Sequence, residues 1–239
     1  MVVIPGYSYW AFVTRLGEAQ ILLPAALAAL LWLLRRDEGR RLAAWWVALL
    51  SLAVALTTAS KVAFIGFGWG IPEINFTGVS GHAMFAAAVY PLLFGTLAGA
   101  LPPAGRRAAL LAGCALALLV GVSRAVIGVH SWSEVVAGLA VGGAVSGVAL
   151  ALARLPRTTL GLAVPAAVAL WLALTPVHAP ASRTHDWVTA LSLKVSGRPV
   201  PYTRREMLRE WRARQALRLG RSDDDCRRCA PTTARPPAT

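Results

Sequence analysis

The chain is short of charge, of cysteine and of any repeating pattern, and each shortage excludes something. Charged residues make up 15% of the 239 positions and hydrophobic ones 56%, a balance too apolar for an ordinary soluble domain. Cys226 and Cys229 form one CxxC with no second pair and no nearby histidine, a weak metal signal. No βαβ pattern surrounds it, so the redox-motif reading fails and an incidental pair or a local disulfide is left. Cys114 lies within an apolar run and reads as a small core residue. No internal repeat appears beyond shared composition. No stretch combines the charged start, short apolar centre and small-residue exit of a cleaved signal peptide.

What is present is grease in long runs. Residues 19–34, 42–60, 83–105, 108–123, 135–153 and 158–177 carry no charge. A spanning helix needs about 20 apolar residues, with a range of roughly 17–25. Four runs meet that length, and the first and fourth reach it by borrowing flanking residues such as 14–16 or 125–129. The pattern predicts an all-α polytopic membrane bundle of about six helices over residues 1–176. Tyr7, Tyr9, Trp10 and Phe12 mark residues 2–13 as an interfacial lead-in.

The net charge of +13 invites a nucleic-acid partner, but its distribution argues against one. Residues 177–239 hold 13 of the basic and 6 of the acidic residues and so contribute +7. Most other basic residues fall in three short turns: Arg35, Arg36, Arg40 and Arg41; Arg106 and Arg107; Arg154 and Arg157. With six helices these turns share one face, which the positive-inside rule makes cytoplasmic. The opposite turns and both termini then face outward. A basic tail outside strains the same rule, although the rule weakens for long segments. Within residues 177–239, Thr203 and Glu206 have capping-box spacing and predict a solvated basic helix near 204–219 that stops at Gly220. The end, 222–239, reads as disordered.

Two polar islands interrupt the apolar runs on the outward face: Ser80-Gly81-His82, and Ser123-Arg124 followed by His130 and Glu134. Ionisable groups at a membrane boundary are costly to hold and point to function. His130 and Glu134 share a face at i, i+4. A carboxylate there fixes the imidazole tautomer for nucleophilic attack on phosphorus. Ser131 to Glu134 is equally capping-box spacing, so two roles compete evenly for one carboxylate. Ser80 stands where it can cap the following helix. Gly81 lets an anion approach the helix N-terminus, and His82 can serve as general acid. Each residue alone has a plainer explanation: a solvated histidine, an ordinary cap, Lys61 or Arg124 snorkelling to the interface, Trp132 anchoring there. Their coincidence on one face favours a phosphate site.

In order, Lys61, Ser80-Gly81-His82 and Ser123-Arg124 with His130 and Glu134 resemble the type 2 phosphatidic acid phosphatase superfamily, related to bacterial acid phosphatases and vanadium haloperoxidases. The resemblance implies an acid phosphatase/haloperoxidase-like core and His130 as the nucleophile of a phosphohistidine intermediate. It implies His82 as the acid for the leaving group, Glu134 in place of the orienting Asp, and Lys61, Ser80, Gly81 and Arg124 on the phosphate oxygens. It implies no cofactor or metal. The expected activity is hydrolysis of a lipid phosphate such as phosphatidate or phosphatidylglycerol phosphate, or of an isoprenoid diphosphate such as undecaprenyl diphosphate. The expected place is a bacterial inner membrane with the site facing the periplasm.

The sequence departs from the pattern at three positions. Gly68 stands where the first motif has a second cation, Val79 replaces a Pro, and Glu134 replaces Asp. The missing arginine implies a slower enzyme or one that draws a cation from elsewhere. It also motivates a second expectation: an impaired membrane protein that keeps a phosphate- or phospholipid-binding pocket without turnover.

Overall fold

The computed structural model describes residues 6–157, 163–178 and 182–228, with side chains to 176 in the second stretch and to 218 in the third. The described residues are almost wholly helical, the one extended feature being an isolated bridge between Ile71 and Phe76. The helices are α1 (Tyr7–Arg15), α2 (Ala19–Leu34), α3 (Asp37–Phe67), α4 (Gly81–Leu97), α5 (Pro103–Val126), α6 (Trp132–Leu152), α7 (Ala163–His178), α8 (Thr184–Ser196) and α9 (Arg204–Arg228). A 3-10 turn, Pro72–Ile74, sits in the loop after α3.

Helix α4 is the axle of the bundle. Twelve of its 17 residues are buried, so it is covered all round rather than on one stripe. Glycines let its neighbours come close. A Cβ on Gly142 of α6 would lie 2.1 Å from the Met84 carbonyl oxygen, and one on Gly113 of α5 2.6 Å from that of Tyr90. Small residues of this kind set helix approach where the surrounding lipid gives no hydrophobic drive. Two long polar side chains pin α4 further. Trp46 Nε1 donates to the Ala88 carbonyl at 3.0 Å, and Tyr90 OH donates to the Leu16 carbonyl at 2.8 Å.

The apolar helices make this a membrane protein, but the expected six spans are not matched by length and composition. Among the described residues three helices qualify (α3, α5 and α6), or four if α1 and α2, bent by 40° at their junction, count as one. Helices α4 and α7 are shorter apolar helices. The physical reason is clearest at α4. Seventeen residues rise roughly 26 Å against a hydrocarbon core of about 30 Å, and its neighbours rather than lipid enclose it.

The contacts at the helix ends sort the turns into two sets. Arg106 Nη2, in the first turn of α5, donates to the Leu155 carbonyl just beyond α6 at 3.0 Å. Two basic turns therefore meet at one end, and the polar islands lie at the other. Cys114 is exposed, which corrects its reading as a core residue: it sits on a part of α5 turned away from α4. Helix α8 has no counterpart in the sequence reading. Helix α9 continues through residues 221–228, past the stop expected at Gly220 and into the stretch read as disordered. Residues 229–239, with Cys229, lie outside the described residues.

Candidate active site

A cavity of 760 Å³ opens at the polar end, lined by Lys61, Gly81, His82, Arg124 and His130 among others. Gly81 and His82 open α4, Arg124 lies in the last turn of α5, Lys61 lies within α3 near its end, and His130 stands in the loop before α6. Helix α5 stops after Arg124 because Gly128 turns the chain in a left-handed conformation, φ 75°, and the His130 N–H then closes back on the Arg124 carbonyl at 3.2 Å. Ser131 caps α6 in a complete capping box with Glu134.

Glu134 resolves the competition for its carboxylate by serving both partners. Its Oε2 accepts from the Ser131 N–H at 3.1 Å and lies 2.7 Å from His130 Nδ1. The extra methylene relative to Asp lets a residue in the first turn of α6 fold back that far. Oε1 accepts from the backbone N–H and the hydroxyl of Thr77. Arg204 Nη2 reaches both oxygens, at 2.7 and 2.6 Å, and also Thr77 Oγ1 at 3.1 Å. The carboxylate is fully buried and every lone pair it offers is in use. His130, in the loop before α6, is pushed below the usual histidine value by burial, against the upward pull of Glu134. Its neutral form, with Nδ1 donating to Glu134, leaves Nε2 as a free base.

Ser80 occupies the N-cap position of α4, yet its hydroxyl makes no capping bond. This corrects the simple cap reading. Ser80 Oγ is buried without a partner among the described residues, as are Thr57 Oγ1 and Arg124 Nε. Unpartnered buried polar atoms are expensive; Thr57 and Arg124 line the cationic cavity and Ser80 precedes its Gly81 wall, an arrangement that suits an anion with several acceptor oxygens. Lys61 Nζ would be 3.7 Å from a Cβ on Gly81, an ordinary contact distance that puts the ammonium beside the start of α4. Arg124 Nη1 donates to Thr14 Oγ1 of α1 at 2.9 Å. The charges of Arg124, Lys61 and His130 all bear on His82.

The departures from the family pattern have local causes. The Val79 N–H donates to Ser60 Oγ at 3.0 Å, a bond no proline makes. Gly68 ends α3 at φ 74°, and a Cβ there would lie 3.4 Å from the Tyr202 ring. The structure thus gathers all seven sequence-selected residues (Lys61, Ser80, Gly81, His82, Arg124, His130 and Glu134) at one end. It adds Thr14, Thr57, Ser60, Thr77 and Arg204, which sequence reasoning missed. Polar residues within apolar runs flagged none of these singly, and Arg204 was one of many tail arginines.

A family model for the PAP2 superfamily matches residues 66–158, a stretch holding both polar islands but not Lys61. Over 145 residues the chain is 41% identical to an uncharacterized 22.5 kDa protein in the cps region of Klebsiella pneumoniae, covering 61% of this chain and 69% of that relative. The chain belongs to the PAP2 superfamily. Members of the PAP2 superfamily are generally phosphatases, which supports phosphoester hydrolysis in general. The all-helical fold is the PAP2 fold. No solved structure matches the chain significantly.

Proposed function

We propose that the protein is an integral membrane phosphatase that hydrolyses a lipid phosphate or isoprenoid diphosphate headgroup through a phosphohistidine, without a metal. The observation that carries this reading is the His130–Glu134 pair, at 2.7 Å, in which His130 lines a cavity shared with Lys61, Arg124 and His82 and Glu134 lies buried behind it. The ionisable lining is cationic, and the buried Glu134 carboxylate behind it is saturated by donors, so the cavity suits an anion rather than a metal ion. Its remaining lining is largely apolar, with Leu23, Val54, Phe64 and Ile65 continuing along the bundle, which suits a headgroup attached to hydrocarbon.

The steps follow from the donors. Lys61, Arg124 and the Ser80 hydroxyl hold the non-bridging phosphate oxygens, with Gly81 leaving room for them. His130 Nε2 attacks phosphorus; the N–P bond forms as the P–O bond to the lipid breaks. His82 gives its proton to the departing oxygen. It then takes a proton from water, whose oxygen displaces His130 and releases inorganic phosphate. The site lies at the end opposite the basic turns, which by the positive-inside rule supports an outward-facing site, the expected setting being a bacterial inner membrane.

The test is purified protein in detergent against a panel of lipid mono- and diphosphates. Phosphate release that persists in excess chelator and vanishes in His130→Ala supports the reading. Full activity in His130→Ala overturns it. Acid-labile phosphate trapped on His130 separates turnover from binding without turnover.

A further inference from the structure

Gly68 deprives the phosphate cradle of one cation, and the chain covers that place in a specific way. The Tyr202 ring packs over Gly68, and the Tyr202 N–H donates to the Ile65 carbonyl at 2.9 Å. Two residues later Arg204 enters the cavity and bonds both oxygens of Glu134. The segment is fastened on either side. Thr203 and Glu206 cap α9 reciprocally, Met207 is buried against Phe64 and Ile65, and Trp211 Nε1 donates to Glu73 Oε1 at 3.2 Å.

We infer that Arg204 is a positioning residue for hydrolysis, donated by the C-terminal segment: it fixes and neutralises Glu134 so that His130 keeps Nδ1 protonated and Nε2 free to attack. This rests on the phosphatase reading of the same site. One guanidinium nitrogen shared between both carboxylate oxygens locks the terminal rotation of Glu134, which holds Oε2 on His130. The same charge offsets the buried carboxylate, leaving Lys61 and Arg124 available to substrate. A guanidinium suits this planar, multi-donor task better than an ammonium.

The charged and titratable groups around His130 are Lys61 on α3, His82 on α4, Arg124 on α5, Glu134 on α6, His185 on α8 and Arg204 on α9. Removing Arg204 alone takes one positive charge from this set and leaves Glu134 free to stabilise the imidazolium. The acid limb of the rate then moves to higher pH.

The experiment uses the full chain in detergent and whichever lipid phosphate of the panel it turns over fastest. Arg204→Ala is expected to lower kcat about 10- to 100-fold, the worth of one charge-assisted hydrogen bond, with KM changed less than about threefold. Its acid limb rises, and millimolar guanidinium restores part of kcat. Arg204→Lys keeps the charge, returns the acid limb to the wild-type position and gives an intermediate kcat. Arg205→Ala, exposed on the same turn, is unchanged. An unaltered kcat in Arg204→Ala, a loss confined to KM, or an acid limb that stays put in both Arg204 variants overturns the inference. If Arg204→Ala does not fold, the intermediate kcat of Arg204→Lys decides. Activity surviving in His130→Ala sinks the underlying reading instead, so the two failures are distinct.

Discussion

Arg124 Nη1 donates to Thr14 Oγ1 at 2.9 Å across 110 positions of chain. The N-terminal helix α1 therefore steadies the arginine proposed to grip phosphate, although nothing in its aromatic-rich sequence advertises that. Thr14→Val removes the acceptor while keeping the shape. We expect kcat/KM to fall about 3- to 10-fold, on the order of 1 kcal/mol for one hydrogen bond, mainly through KM. Steady-state kinetics on detergent-solubilised protein check this, with Arg124→Ala giving a far larger loss.

On the proposed mechanism Glu134 supports both the rate and its pH dependence. Glu134→Gln should lower kcat by about 10²- to 10⁴-fold, the usual scale for losing acid–base support. Burial lowers the His130 pKa and Glu134 raises it. Removing the raising influence moves the acid limb of the residual activity to lower pH, the opposite sense to Arg204→Ala. A pH–rate profile of the folded fraction reads this directly.

The same shift bears on stability. His130 has a folded pKa below its unfolded value near 6.5. Above that unfolded value both states are neutral and the full stability is present. As pH falls through it the unfolded chain gains a proton that the folded chain refuses, so stability declines with acidification. Thermal unfolding in detergent between pH 8 and about pH 5 should show this slope, and His130→Gln should flatten it.

Packing around α4 gives a test independent of catalysis. A Cβ on Gly142 would meet the Met84 carbonyl at 2.1 Å, whereas one on Gly143 meets nothing within 4 Å. Gly142→Ala should cost about 1–3 kcal/mol as an overpacked contact and lower the melting temperature. Gly143→Ala should be neutral or slightly stabilising. Equal melting temperatures would show that the α4–α6 approach is looser than described.

The sequence made the helical class legible because apolar runs of membrane length have few other solutions, and it made both islands legible because polar residues stand out there. It left the span count open: α4 reads as a full charge-free run of 83–105, yet the helix ends at Leu97 and turns before Pro103. Glu134 was legible as a capping residue and as a histidine partner. That one oxygen does both depends on a side-chain conformation that spacing does not encode. Helix α8 was missed because Thr184–Ser196 mixes polar and apolar residues without a strong stripe, and its packing against α3 supplies the order. Arg204 was hidden for a different reason. Its partner lies 70 positions earlier, and among the tail's many arginines only three-dimensional placement singles it out.

That separation has a consequence for how the molecule is made. Glu134, Thr77, His130 and Ser131 are synthesised and can meet while α9 has not yet left the ribosome. Until then Thr77 and Ser131 are its backbone donors, and the Arg204 charge arrives only with α9. A nascent chain that has reached only α8 therefore holds the proposed nucleophile without the arginine proposed to steady it.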